Sequence, residues 1–162
     1  MFFYPGFESA AGTRLRGVRL RGAVIAGARL GGAGGSRAKL SGARRVGADL
    51  TKAEMIRTNR KAADLTNANL EKAEFLRSSL EEATLKGANL AGADLARTNF
   101  AKASLAGARF TNARMFRTRI EGVDLSGALG LAQSQLDSAC GDKETKLPPG
   151  LKPGPAWPCA KE

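Results

Sequence analysis

Every fifth residue from Thr13 to Val123 is small: Ala, Thr, Ser or Val at all 23 positions. Two residues after each stands a larger side chain, beginning Leu15, Leu20, Ile25, Leu30 and ending Met115, Ile120, Leu125. Twenty of these 23 are Leu, Ile, Met or Phe, and the exceptions are Gly35, Arg45 and Arg60. A helix cannot keep this pattern on one side, because five residues at about 100° each leave a drift of roughly 140°. A long flat strand cannot either, since five is odd and each repeat would swap faces. Within one repeat, however, the small and large residues are two apart, so both point the same way in an extended segment. A corner must follow to restore the phase. Short sides joined by regular corners make a coil, and stacked coils make a solenoid. One small side chain per side keeps a narrow interior from overfilling.

The corner position carries its own signal. Two residues after the large side chain stand Gly17, Gly22, Gly27, Gly32, Gly42, Gly47, Gly87, Gly92, Gly107, Gly122 and Gly127, with Asn67 and Asn112 in the same phase. Gly and Asn tolerate the positive φ of tight turns. A longer period of twenty also runs from Met55 to Leu129, where rows of that length align without a gap. Ala48-Asp49-Leu50, Ala63-Asp64-Leu65, Ala68-Asn69-Leu70, Ala88-Asn89-Leu90 and Ala93-Asp94-Leu95 follow the pattern small, polar, Leu. In these residues the chain resembles the pentapeptide-repeat family, over residues 13–129. The resemblance implies an all-β fold, a right-handed quadrilateral β-helix with four repeats per coil. Twenty-three repeats then make about six coils, a tower roughly 25 to 30 Å tall at the usual strand spacing. The expected organisation is an aromatic cap at 1–12, the β-helix at 13–129, and a capping helix with a Pro-rich tail at 130–162. Gly31 to Gly35, Arg45 and Arg60 break the pattern, so local irregularity is expected between Gly31 and Ala63. An unpaired buried charge is costly, so both Arg side chains are expected to turn outward or leave through the coil end.

The ends follow from the solenoid. Phe2, Phe3, Tyr4 and Phe7 are expected to plug the first coil rather than form a dimer contact, because an exposed aromatic cluster is costly. Leu131 to Ala139 reads as a short amphipathic helix, with Leu131 and Leu136 inward and Gly141 at its end. It would cover the open edges and apolar interior of the last coil. The segment from Leu147 to Cys159 has too much Pro for helix or inner strand, and is expected to run extended, anchored by Trp157. Cys140 and Cys159 bracket it. Two readings stand: a disulfide, pointing to an oxidising compartment, or two free thiols in a reducing cytoplasm, with the balance toward the disulfide. A complete chain would be cytoplasmic, and a mature exported form periplasmic or secreted.

Composition bounds the chemistry. There is no His, hence no imidazole base and no Ser-His or Cys-His pair. Two Cys without His do not make a zinc site, and no Gly-rich loop has phosphate-cradling spacing. No catalytic, cofactor or metal residues are therefore expected. No apolar run is long enough to span a bilayer. The net charge is +11 and unevenly placed. Residues 1–52 hold ten Lys or Arg against Glu8 and Asp49, and residues 53–130 hold twelve against nine acids. Arg14, Arg16, Arg19, Arg21, Arg29, Arg37 and Arg44, with Lys39 and Arg45, form a basic footprint of the kind that binds phosphates.

Stacking the rows of twenty exposes a column: Arg37, Arg57, Arg77, Arg97 and Arg117. Adjacent coils hold these about 4.8 Å apart, where like charges repel. Glu54, Glu74 and Asp94 stand three residues before Arg57, Arg77 and Arg97, so a self-neutralised ladder is expected; the other reading is an anion-binding stripe, at the ends where Arg37 has Gly34 and Arg117 has Arg114 in place of the acid. Thr58, Ser78, Thr98 and Thr118 follow the arginines, and their hydroxyls are expected to bond the corner backbone. The expected function is a non-catalytic scaffold with a protein partner on its faces, as a monomer or end-to-end dimer. The alternative is polyanion or nucleic-acid binding through the basic coils. The resemblance also brings in members that mimic DNA and act on DNA gyrase, but those are implied to be acidic, elongated rods.

Overall fold

The structure is a computed structural model that describes residues 47–159. The aromatic cap, Arg14, Arg16, Arg19, Arg21, Arg29, Arg37, Arg44 and Arg45, and the stretch Gly31 to Gly35 lie outside the described residues. From Gly47 on, the chain winds through parallel single-residue bridges whose partners are twenty apart: Asp49 with Asn69, Glu54 with Glu74, Asn59 with Ser79 and Asp64 with Thr84. The same four columns continue upward through Asn89, Asp94, Asn99 and Ser104. Each coil therefore has four short sides, and the elements are too brief to form conventional strands.

Hydrogen bonds account for both sides and corners. On most sides the large residue donates its N–H to the coil above, as Leu50 does to the Asn69 carbonyl at 2.7 Å. The polar residue before it donates to the coil below, as Asn69 does to Ala48 at 2.9 Å. At each corner the small residue closes a turn onto the preceding large one, as in Ala53 N–H to the Leu50 carbonyl at 3.0 Å. The second corner residue is left-handed even where it is not glycine: φ is 55° at Lys52, 56° at Ala62 and 55° at Asn67. That is the third residue of a type II turn, which requires positive φ. The polar residue before each Leu also contributes. Asp49, Asp64 and Asp94 accept the backbone N–H two residues on, at 3.1, 3.1 and 3.0 Å. These carboxylates tie the corner as well as facing solvent.

The interior is one column of side chains per side. Read by coil, the large residues are Leu50, Met55, Arg60, Leu65; then Leu70, Phe75, Leu80, Leu85; then Leu90, Leu95, Phe100, Leu105; then Phe110, Met115, Ile120, Leu125, and all are buried. Each upper coil holds one Phe, and each time on a different side. Staggering the rings lets a narrow bore hold them without two stacking in one column. Arg60 takes the place of the ring in the lowest of these coils. The expectation that it turns outward is wrong: it is 2 % exposed. Its guanidinium carbon lies 5.9 Å from the Phe75 ring centroid, and its Nε donates to Thr58 Oγ1 at 3.3 Å. A cation facing a ring and bonded to a hydroxyl recovers part of its lost solvation. The backbone around it is regular, with Asn59 bridged to Ser79, so the expected irregularity is absent from the described residues 47–63.

The top is closed by α1 (Gln133–Ser138), shorter at both ends than the sequence reading. Leu136 is fully buried against the last coil, whereas Leu131 is only partly covered. Gln135 closes the remaining backbone: its Nε2 donates to the Phe110 and Ala113 carbonyls, each at 2.8 Å. The Ala113 carbonyl has no residue of a further coil to donate to it, as Arg114 donates to Ala93 below, while the Phe110 carbonyl, already bonded by Ala113 N–H, gains a second donor. The tail then rejoins the sheet edge, with Arg119 bridged to Cys140 and Asp124 to Lys146. Gly141 does not end the helix. A Cβ there would lie 2.5 Å from the Trp157 ring, so the glycine makes room for it. Trp157 donates its indole N–H to the Ala139 carbonyl at 2.8 Å, and Cys140 is joined to Cys159 by a disulfide.

Asp142 fixes the turn between helix and tail. Its Oδ1 accepts from Gly122 N–H at 2.9 Å, Glu144 N–H at 3.2 Å and Thr145 Oγ1 at 2.9 Å. Partial burial acts to raise its pKa, but these hydrogen bonds outweigh it and hold the carboxyl below its ordinary value. A depressed carboxylate pKa contributes stability that is present above the unfolded value and lost as pH falls through the folded one. The Gly122 amide, which donates to Asp142, should therefore lose hydrogen-exchange protection as pH falls below about 4, and Asp142→Asn should weaken that dependence, leaving the share due to Asp124, whose carboxyl is also held low by Ser126. In the bore, Phe100→Ala should cost about 3–5 kcal/mol. The half-exposed Phe116 should cost less than about 1 kcal/mol when changed to Ala. Denaturant unfolding of both variants checks the difference.

Candidate functional site: an arginine and apolar corner

The second corner of each coil carries a repeated pair: Ile56-Arg57, Leu76-Arg77, Ala96-Arg97 and Phe116-Arg117. The arginines adopt φ of 54°, 56°, 56° and 52°. Their backbone N–H groups donate one coil up, to Leu76, Ala96 and Phe116 carbonyls at 3.0, 3.0 and 2.9 Å. At the top, Arg117 N–H donates instead to the Ser138 carbonyl at the end of α1, at 2.7 Å. The structure thus brings four of the five column arginines onto one corner. Arg37 lies outside the described residues.

The residues after the arginines are hydroxylic, where the other three sides have Ala or Val. Thr98 Oγ1 donates to the Phe75 carbonyl and Thr118 Oγ1 to the Leu95 carbonyl, each at 2.8 Å. Ser78 Oγ donates likewise to the Met55 carbonyl. Each hydroxyl clamps the first carbonyl of the corner in the coil below, so the arginine corners are pinned from above.

The acidic column does not neutralise the arginines. No ion pair among the described residues joins Glu54, Glu74 or Asp94 to Arg57, Arg77 or Arg97. Asp94 instead reaches up its own column, with Oδ2 3.3 Å from the Arg114 guanidinium. The reason is geometric. Asp94 lies on the flat side with its Oδ1 tied to Ala96 N–H, while each Arg projects from the corner beyond. The expected ladder is therefore an aligned row of cations.

Sequence reasoning missed the partner column. Ile56 and Leu76 are partly exposed, Ala96 is covered between its larger neighbours, and Phe116 is 47 % exposed. The same period of twenty, applied one residue before each Arg, would have found it. At the top this corner opens into a cleft of about 480 Å³. It is lined by Arg97, Phe116, Arg117, Arg119 and Glu121 from the coils and by Asp137, Ser138, Ala139, Cys140, Ala156 and Cys159 from α1 and the tail. Arg119 is matched by Glu121 at 3.0 Å, and Asp137 accepts from Gln133 Nε2 at 2.9 Å. The disulfide and the Trp157 bond hold the tail in place as the second wall. Among the described residues no group of Cys, Asp and Glu is arranged to hold a metal ion, and no helix is long and apolar enough to cross a membrane.

Three kinds of comparison bear on the fold. Among curated proteins no sequence match emerges. Solved structures with the same architecture include full-length QnrB1, a plasmid-mediated fluoroquinolone resistance protein. It is 18% identical with a TM-score of 0.55, and the match covers 90% of this chain and 91% of that one. A trypsin-treated variant of QnrB1 is 21% identical with a TM-score of 0.52, covering 86% and 82%. HetL of the cyanobacterium Nostoc sp. strain PCC 7120, a pentapeptide repeat protein involved in heterocyst differentiation regulation, is 20% identical with a TM-score of 0.47, covering 88% and 86%. At these identities the two QnrB1 structures speak for the fold alone. The sequence pattern described as pentapeptide repeats (8 copies) matches residues 36–71, 61–95 and 93–129, which is more than half of the chain. The repeat solenoid seen in the structure and this match agree: the chain belongs to the pentapeptide-repeat family.

Proposed function

We propose that the chain is a non-catalytic scaffold that binds a partner protein on its walls. The observation that carries this reading is the arginine column, aligned on one corner and free of ion pairs with the neighbouring acids at Arg57, Arg77 and Arg97. The reading takes the solenoid as right-handed with about six coils, closed above by α1 and the tail. The disulfide supports an oxidising compartment for it.

A second reading rests on the excess charge of residues 1–52, where ten basic residues face two acids. It makes the protein an electrostatic binder of nucleic acid through Arg14, Arg16, Arg19, Arg21, Arg29, Arg37 and Arg44. Titration of labelled duplex DNA and single-stranded RNA at several salt concentrations separates the two. Absence of binding at low salt removes the polyanion reading; binding abolished by changing Arg14, Arg16, Arg19 and Arg21 to Glu would establish it. Inhibition in a DNA gyrase supercoiling assay would overturn the argument from charge sign that sets a DNA-mimic role aside.

For the scaffold, a photo-crosslinking residue at Leu76 should yield a discrete protein adduct in cells, lost on Arg97→Glu. The same probe at Thr84, on another wall, should yield none. Adducts with nucleic acid alone, or equal adducts from both walls, would sink the scaffold reading.

A further inference from the structure

Resting on the scaffold reading, we infer that the arginine corner and the cleft at its upper end bind one class of partner: an extended acidic segment of another protein, carrying apolar side chains between its carboxylates. Charge selects the carboxylates. Arg57, Arg77 and Arg97 form a row of cations with no ion pair among the described residues, and Arg117 continues the row into the cleft. The column beside them selects what lies between. Ile56, Leu76 and Phe116 offer aliphatic and aromatic surface, which favours a peptide over nucleic acid, because stacking of successive bases needs a series of rings. Among the described residues only Phe116 supplies a ring along this corner.

Spacing fits an extended chain. Three coil steps from Arg57 to Arg117 span about 14 Å at the usual strand spacing, close to the reach of four residues of extended peptide. Alternate residues of an extended segment point the same way and recur about every 6.8 Å, so a span of this length presents about two carboxylates, each shared between neighbouring arginines of the row, with its apolar side chains on the other flank. The end of the segment is anchored in the cleft. There Phe116 takes an apolar side chain, Arg97 lies within reach of its carboxylate, and the tail fixed by Cys140–Cys159 closes the far side. Arg119 is already matched by Glu121, so the cation that the cleft offers to a carboxylate is Arg97, which has no ion pair among the described residues. Burying charge-matched groups beside an aromatic anchor is the arrangement that concentrates binding energy in few residues.

The test is fluorescence anisotropy on the intact, oxidised chain. The probe is a short labelled peptide of alternating glutamate and leucine closing on phenylalanine. Controls are polyglutamate and a lysine-for-glutamate version. The acidic apolar peptide should bind, and weaken with added salt. Arg97→Glu and Phe116→Ala should each weaken it by about tenfold or more, while Lys86→Glu, an exposed cation on another corner, should leave it unchanged. Glu82 already occupies the equivalent left-handed corner position with φ of 58°, so Arg97→Glu is compatible with the fold, and thermal melts check both variants. Equal weakening by Lys86→Glu, or equal binding of polyglutamate, would reduce the effect to net charge and overturn the inference. So would failure of the peptide to bind. In that case a protein adduct from Leu76 would still leave the scaffold reading standing, with a different partner.

Discussion

The twenty-residue register of backbone hydrogen bonds is the constraint on which the rest depends. Each coil donates upward from its large residues and corners and downward from its polar residues, so no coil is satisfied alone. Length therefore buys nothing until a neighbour is in place. The requirement becomes acute at an end. Here Gln135 substitutes for a coil by donating to the Ala113 carbonyl, adds a second bond to Phe110, and Leu136 fills the bore beneath it. A helix of six residues suffices because it has only one coil face to cover.

The corners show how a local penalty is absorbed by that register. Left-handed geometry at a non-glycine residue costs on the order of 1–2 kcal/mol, and the described residues include many such positions. Most donate their N–H to the next coil, Arg117 donates to the end of α1, each sits in a closed turn, and in many of these turns the residue before it donates its N–H to an Asp or Asn side chain. Isolated, such a turn would be unfavourable. Stacked, the same turn is held from both sides, and on the arginine corner it is held again by Thr98 and Thr118.

The side geometry was legible in the sequence because it is dictated by period. Five against twenty gives the sides, the corners and the columns, and the bridges from Asp49 to Asn69 and beyond follow that arithmetic. What was not legible depends on volume and direction. Arg60 looks like a defect when read as a charge. Read as volume, it fills the space that Phe75, Phe100 and Phe110 fill in the coils above. The acids Glu54, Glu74 and Asp94 are near the arginines in sequence, but side and corner point different ways. Gly141 reads as a helix stop, yet its role is to admit Trp157, a contact across the tail that no local pattern reveals.

The fold asks little of the arginine side chains. It needs a residue that tolerates φ near 55° and offers an N–H, and the adjacent corner meets that need with Ala62, Glu82, Lys102 and Gly122 in successive coils. On the arginine corner one residue type recurs in four coils running, although stacked like charges repel and no acid of the neighbouring column relieves Arg57, Arg77 or Arg97. A feature that folding does not require and electrostatics disfavours is what the proposed partner would account for. The apolar column beside it points the same way, since Phe116 stays half exposed where a smaller residue such as Ala96 would satisfy the turn equally well.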